Sequence, residues 1–170
     1  MRHLVRVLVA VTSSLAALSF STAVHAGATP SNVGSAAADV GFVQRLMFST
    51  PLAKFSAIAR SRIGPDGIPG NGWFDWSTDL CSAPLVGNSG ATYNFTEPCR
   101  RHDFGYRNTQ LLDRRYGLGR YWNHAGRARI DVQFYADMRG ACAHRRLLDR
   151  PFCYTWAAVY FVAVRTFGGP

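Results

Sequence analysis

The residues best suited to proton transfer lie in one short run, CRRHDFGYRN at positions 99–108. In that run His102 stands directly before Asp103. Adjacent side chains on a helix diverge by about 100°, so the imidazole and the carboxylate would face different surroundings. One could then act as a base while the other binds a ligand. A solvated, charged helix face would produce a similar run, and the pattern alone leaves both interpretations open.

A second candidate is a carboxylate in the segment ARIDVQFYADM, residues 128–138. Asp131 shares an apolar helix side with Phe134, so we expect it to be partly buried and to need a hydrogen-bond partner. An imidazole N–H from an antiparallel neighbouring helix, such as that of His102, would meet this need and fix the tautomer of the ring. Asp137 is the rival carboxylate of the segment, and we expect it to be exposed.

The third candidate is the loop segment DLCS, residues 79–82. If Cys81 is bonded to Cys99, Asp79 comes close to Asp103, which lies one helical turn beyond Cys99. Two carboxylates with loop carbonyls form a hard, oxygen-rich set that favours Ca²⁺ over zinc or copper. The alternative is that these Asp side chains only cap turns.

The N-terminal segment, residues 1–26, has the pattern of a secretory signal peptide. Arg2 and Arg6 precede a largely apolar stretch, and Val24-His25-Ala26 fits a small-x-Ala cleavage site. Serine and threonine dilute the apolar run, which makes a membrane-spanning helix the weaker alternative. We therefore expect a secreted, extracellular protein whose mature part is a single domain, residues 27–170.

Export gives the four cysteines a structural meaning, since an oxidising compartment favours disulfides. Four cysteines allow three pairings. We prefer the local pairing, which closes two short loops: Cys81–Cys99 and Cys142–Cys153. A zinc site is the alternative, but no C-x-x-C pair is present and no histidine lies in ligand register with a cysteine.

Five stretches are interpreted as helices, several of them from apolar residues that recur at helical spacing, and no alternating strand of useful length appears. The chain is therefore predicted to be mostly α-helical. Residues 27–37 are interpreted as a frayed leader. The predicted helices begin at an Asp39 N-cap, after Thr50-Pro51, near residue 99, after an Asn123 N-cap, and at Thr155 as a core helix. The stretches 64–72 and 73–90 are predicted loops.

The charge balance is strongly basic, with 18 arginines, one lysine and a formal net charge of +9. Removal of residues 1–26 would lower the charge to about +7, because Arg2 and Arg6 lie there. This balance favours anionic partners, such as phospholipid headgroups or nucleic acid. Charge alone does not choose between them.

The three segments 99–108, 79–82 and 128–138 resemble those of the secreted prokaryotic and fungal phospholipases A2. The resemblance implies a small, disulfide-stapled all-α domain with two long antiparallel catalytic helices and a long calcium-binding loop. It also implies the same two disulfides. By this resemblance His102 is the base, Asp131 orients it, and the Asp79 and Asp103 side chains and the Leu80 carbonyl bind Ca²⁺.

The function that this resemblance implies is calcium-dependent hydrolysis of the sn-2 ester of glycerophospholipids. The substrate would be phospholipid at a membrane or micelle surface. The protein would act as a monomer, would not bind nucleic acid and would need no obligate protein partner. One alternative is a secreted metal-dependent nuclease that uses His102. Another is a non-catalytic, lipid-binding or toxin-like module, although such a module has no chemical reason to keep all four of His102, Asp103, Asp79 and Asp131.

Overall fold

The computed structural model describes residues 35–61, 74–82, 87–117 and 119–168. In this part of the chain the secondary structure is helical, apart from an isolated β-bridge between Ser89 and Asn94. The α-helices are α1 (Ala36–Phe48), α2 (Leu52–Ser61), α3 (Thr96–Leu112), α4 (His124–Ala143) and α5 (Arg150–Phe167), and a short π-helical turn, Asp113–Gly117, follows α3. The predicted all-α class is confirmed. The predicted signal peptide and the predicted loop at 64–72 lie outside the described residues.

The first helix begins earlier than the sequence suggested. The hydroxyl of Ser35 caps α1 by accepting a hydrogen bond from the Ala38 backbone N–H at 3.2 Å. Asp39 is therefore not the N-cap, and 35–37 are not frayed leader; Asp39 is buried inside α1 and accepts a hydrogen bond from the Tyr116 hydroxyl at 2.7 Å. The physical reason is that Ser35 precedes a run of alanines, which are the best helix formers.

The other helix starts show how well local chemistry predicts a boundary. Asn123 is the N-cap of α4, as predicted, and its side chain accepts from the Gly126 N–H at 2.9 Å. Helix α2 begins at Leu52, with the Pro51 carbonyl accepting the first helical hydrogen bond. Helix α5 begins at Arg150, five residues before the prediction, because Pro151 in its first turn is already set in helical geometry.

Helix α3 is the centre of the packing, since it contacts α1, α2 and α4, while α5 packs along α4. Gly105 lets α1 come close to α3, because a Cβ atom at this position would lie 2.7 Å from Met47. One apolar cluster, around Phe55 and Phe104, fills the α1–α2–α3 side. A second apolar cluster, around Phe134 and Tyr160, fills the α4–α5 side. The two clusters hold α3 and α4 against each other.

Two disulfides join the elements that surround this helix pair. Cys81–Cys99 ties the irregular segment 74–82 to the first turn of α3, and Cys142–Cys153 ties the end of α4 to the start of α5. The Cα atoms are 5.5 Å apart in each pair. Of the three pairings open to the sequence, the structure has the local one.

Helix α5 is a core helix on one side only. It buries Cys153, Ala157 and Tyr160 but leaves Phe152 and Val162 exposed. None of the described helices is long and apolar enough to cross a bilayer. The expectation of a core helix holds only for the side of α5 that packs on α4.

Candidate active site

The centre of the site is a contact between α3 and α4. His102 Nε2 lies 3.0 Å from Oδ1 of Asp131, and the Asp131 side chain is fully buried. Both helices are long enough to carry these residues in their middle turns, where the backbone is held by hydrogen bonds on both sides. The structure therefore brings together the two side chains that the sequence suggested as a pair.

Asp131 has more partners than the imidazole. The Tyr106 hydroxyl donates to Oδ1 at 2.6 Å, and the Arg165 guanidinium donates to Oδ2 at 3.0 Å. Arg127 lies behind them, with its Nε 3.9 Å from Oδ2 and its NH2 group donating to the Arg165 carbonyl at 2.9 Å. The carboxylate is thus fixed from α3, α4 and α5.

These contacts decide the protonation of two groups, the buried carboxyl of Asp131 and the half-buried hydroxyl of Tyr106. Burial of Asp131 opposes ionisation, but hydrogen bonds from His102, Tyr106 and Arg165 hold its pKa below the ordinary value. Burial, together with the bond to Asp131, raises the pKa of Tyr106 well above that of a free phenol. Asp131 is therefore an anion and Tyr106 a neutral donor near neutral pH.

The imidazole packs against two aromatic rings at the edge of a cavity. The ring centroids of Tyr106 and Phe134 lie 4.2 Å and 4.6 Å from that of His102. The cavity has a volume of about 490 Å³ and is lined mainly by apolar side chains from the 80–82 segment and from α3, α4 and α5. Since Asp131 occupies Nε2, Nδ1 is the nitrogen left for a molecule in the cavity.

Asp103, next to His102, faces the 74–82 segment and also lines the cavity. Its Oδ2 accepts hydrogen bonds from the Thr78 hydroxyl at 2.5 Å and from the backbone N–H groups of Asp79 and Leu80 at 3.2 and 3.0 Å. Leu80 is held at a positive φ of 58°. Burial raises the pKa of Asp103, and the charge of Asp79 adds to this effect, while the Thr78 hydrogen bond opposes it.

Asp79 is close to Asp103 through its backbone, but its carboxylate has other partners. Oδ1 accepts from Arg107 at 2.6 Å and Oδ2 from the Ser82 hydroxyl at 2.7 Å. The hydrogen bond from Ser82, followed by that from Arg107, lowers the pKa of Asp79. The structure thus brings Asp103 and Leu80 close to His102, whereas the Asp79 carboxylate is hydrogen-bonded to Arg107 and Ser82.

The donor set of this corner is chemically suited to a hard cation. Asp79 and Asp103 offer carboxylate oxygens. Leu80, which lines the cavity together with Asp103, offers a backbone carbonyl that also accepts from the Ser82 N–H at 3.0 Å. Among the described residues no group of three or more His, Cys, Asp or Glu side chains is gathered as a metal site. A cation bound here would therefore have two carboxylates at most, completed by carbonyl and water oxygens.

The structure corrects the prediction for Asp137. Asp137 is buried, and both of its oxygens accept from the guanidinium of Arg101, with the Nε–Oδ2 distance at 2.7 Å. Gln133 also donates to it at 3.0 Å. Asp137 lies three residues after the buried Phe134 and so on the α3 side of α4, where it was predicted to be turned towards solvent.

Comparison with known proteins places the chain in a family. The family model for prokaryotic phospholipase A2 matches residues 43–168. The chain belongs to the prokaryotic phospholipase A2 family. It is also 38% identical over 125 residues to a secretory phospholipase A2 of Beauveria bassiana, and 32% identical over 144 residues to a secretory phospholipase A2 of Arthroderma benhamiae. The matches cover 74% and 83% of this chain. They cover 56% of the Beauveria protein and 83% of the Arthroderma protein.

Two residues around the His102–Asp131 pair of this phospholipase A2 family member were missed by sequence reasoning. Tyr106 could have been found, because it follows His102 by four residues and must therefore lie on the same helix face. Arg165 carried no such signal, since it is 34 residues from Asp131 and reaches it only through the packing of α5 on α4.

Proposed function

We propose that this protein is a secreted phospholipase A2 that hydrolyses the sn-2 ester of glycerophospholipids to a lysophospholipid and a free fatty acid. The observation that carries the proposal is the imidazole of His102, bonded to a buried carboxylate on one side and lining an apolar cavity on the other. An apolar cavity of about 490 Å³ suits an acyl chain and offers little to a nucleic acid. The family match supports the same chemistry.

In this mechanism Nδ1 of His102 takes a proton from a water molecule, and the oxygen of that water attacks the ester carbonyl carbon. The imidazolium then gives the proton to the departing glycerol oxygen as the tetrahedral intermediate collapses. Asp131 remains ionised throughout and stabilises the imidazolium, while Tyr106 and Arg165 keep its oxygens in place.

We propose Ca²⁺ as the cofactor, held by the carboxylates of Asp79 and Asp103 and the carbonyl of Leu80. When bound, the cation supplies positive charge for the substrate phosphate and for the oxygen of the ester carbonyl. The residues fit this role because all three donors are oxygens. Asp79 would exchange its ion pair with Arg107, 2.6 Å away, for the metal.

A metal-binding experiment tests the ligand set separately from turnover. Calorimetric titration of the protein with CaCl₂ should show one site, and Asp103→Asn should weaken it by about tenfold or more, since one of two charged ligands is lost. Arg107→Gln should tighten calcium binding, because Asp79 then has no ion pair to break before it can bind the metal. Unchanged calcium affinity in Asp103→Asn would remove Asp103 from the set.

The location and partners of the protein follow the same proposal. The N-terminal pattern and the relatives named secretory phospholipase A2 support export. We propose an extracellular monomer that meets phospholipid at a membrane or micelle surface and requires neither nucleic acid nor an obligate protein partner.

The decisive experiment for function is the release of fatty acid from phosphatidylcholine labelled in the sn-2 chain. Labelled fatty acid should appear with Ca²⁺, disappear with chelator and disappear in His102→Asn. Release from the sn-1 chain, or equal release by His102→Asn, would contradict the proposal. Plasmid DNA incubated in parallel should stay intact, and its cleavage would support the nuclease alternative.

A further inference from the structure

The outward side of α5 is apolar where the surface helix of a globular protein is usually polar. The only charged residues of α5 are Arg150 and Arg165, and Arg165 is bonded to the buried Asp131. Phe152, Val162 and Phe167 are exposed at 62%, 61% and 83%. Single exposed apolar residues need no explanation, but a row of them along one helix indicates a binding surface.

Five apolar residues follow one side of α5 at separations of three and four: Phe152, Trp156, Val159, Ala163 and Phe167. Phe152, Val159 and Phe167 are exposed, whereas Trp156 and Ala163 are half-buried. We call these five residues, with the exposed Val162 beside Val159, the α5 face. At 1.5 Å per residue the line from Phe152 to Phe167 is about 22 Å long. Ala163 and Phe167 also line the cavity that contains His102, so the α5 face ends at the candidate active site.

The opposite end of the α5 face continues into the turn before the helix. Leu147 and Leu148 are exposed at 74% and 87% in this turn. Arg145, Arg146 and Arg150 flank them in the sequence, together with a single acidic residue, Asp149. Leucines that point outwards among arginines are typical of segments that rest in a lipid interface, with the leucines among acyl chains and the guanidinium groups at the phosphates.

We propose that the α5 face and the Leu147–Leu148 turn form the surface by which this protein lies on a phospholipid interface, and that the interface is preferentially anionic. The inference rests on the proposed function, because it is the cavity end of the face that would receive the lipid. In this arrangement α5 lies in the plane of the interface, because its apolar residues run along its length rather than around it.

Two observations favour a lipid surface over a second copy of the chain. The face is continuous with the apolar cavity, so a lipid leaving the interface would enter it without crossing water. A symmetric pairing along the same face would instead cover the mouth of the cavity at Phe167. The arginines at the turn also complement the phosphates of an anionic lipid surface.

The proposal is tested by vesicle flotation with the full chain carrying His102→Asn, so that lipid is not consumed. The test variant adds Val159→Glu and Val162→Glu, neither of which lines the cavity. The matched control adds the same two charges to exposed positions of α2, as Ala53→Glu and Ala57→Glu. Circular dichroism and melting temperature establish that both variants are folded.

The expected result is that the α5 variant loses at least tenfold in affinity for vesicles of phosphatidylcholine and phosphatidylglycerol, while the α2 control does not. Replacing phosphatidylglycerol by phosphatidylcholine should weaken binding of the parent, and Arg146→Gln should reduce that difference by about fivefold. Equal binding by the α5 variant and the control would overturn the proposal. A dimeric parent that the α5 variant converts to monomer without loss of vesicle binding would also overturn it.

A second measurement separates this inference from the proposed function. In the chain with His102 intact, the two glutamates of α5 should slow hydrolysis of vesicles but leave hydrolysis of a monomeric short-chain phosphatidylcholine unchanged. If the chain with His102 intact hydrolyses neither substrate but binds vesicles through α5, the proposed function fails and the proposed lipid-binding surface stands. If monomer hydrolysis persists and vesicle hydrolysis is insensitive to the α5 charges, the surface fails and the function stands.

Discussion

Helix α4 carries two buried carboxylates, six residues apart, that are held by adjacent residues of α3. Asp137 is bonded at both oxygens to Arg101, and Asp131 is bonded to His102. Arginine keeps its proton at any accessible pH, whereas histidine exchanges its proton near neutrality. The Arg101–Asp137 ion pair can therefore only stabilise the contact between the two helices. The His102–Asp131 pair contains a type of side chain that can also transfer a proton.

The surroundings of the two carboxylates also differ: those of Asp137 join structural elements, and those of Asp131 lead to the cavity. The guanidinium of Arg101 also donates to the Thr50 carbonyl at 2.5 Å, which ties the α1–α2 connection to the helix pair. His102 instead lines the cavity and is backed by Arg165 from α5. Burial of a carboxylate is therefore not by itself a sign of a catalytic role. What matters is which side chain it pairs with and whether that side chain can reach a substrate.

The largest expected effect on turnover is that of His102→Asn. Because His102 is the only base of the proposed mechanism, the rate of fatty-acid release should fall by about 10⁴-fold. Calcium affinity and helix content should be nearly unchanged, since the asparagine can still bond to Asp131. A rate within tenfold of the original would show that another group removes the proton.

Asp131→Asn should have the next largest effect, with turnover falling by about 10²- to 10³-fold. An amide can still bond to the ring, but it cannot offset the charge of the imidazolium. Calcium titration should give the original affinity, because Asp131 is on the far side of the imidazole from Asp103. A loss of calcium binding equal to the loss of turnover would mean that the substitution disturbs α3 as a whole.

Arg165→Gln should lower turnover by about tenfold, since a charge-assisted hydrogen bond to the buried carboxylate is lost. Arg165→Lys should restore most of the rate, because it returns the positive charge. The measurement is kcat on monomeric short-chain phospholipid, with KM expected to change little. Failure of the lysine to improve on the glutamine would indicate that Arg165 only packs α5 against α4.

Asp137→Asn should have the smallest effect on turnover and a large effect on stability. Breaking one side of a buried ion pair leaves the Arg101 charge without compensation and costs about 3–5 kcal/mol of unfolding free energy. Urea denaturation measures this loss, and turnover per folded molecule should stay within about threefold of the original. Equal losses of turnover in Asp137→Asn and Asp131→Asn would remove the distinction between the two carboxylates.

Much of the fold could be predicted from the sequence because its signals are local. The Asn123 cap depends on the few residues that follow it, and so does the start of α2 after Pro51. Where prediction failed, a second local signal competed: Ser35 caps α1 in place of Asp39, and Pro151 starts α5 earlier than its apolar run. Errors of this kind move a helix boundary but leave the class of fold intact.

The types and spacing of His102, Asp103 and Asp131 were determined by the sequence alone, and they were enough to name the chemistry to look for. Tertiary structure decided which buried carboxylate serves the imidazole and which one serves Arg101, because burial depends on the neighbouring helix that covers each position. It also decided that Arg165 backs Asp131 and that Asp79 is bonded to Arg107. Contacts between residues about 30 positions apart leave no periodic trace in a chain, so only the packing of the helices could reveal them.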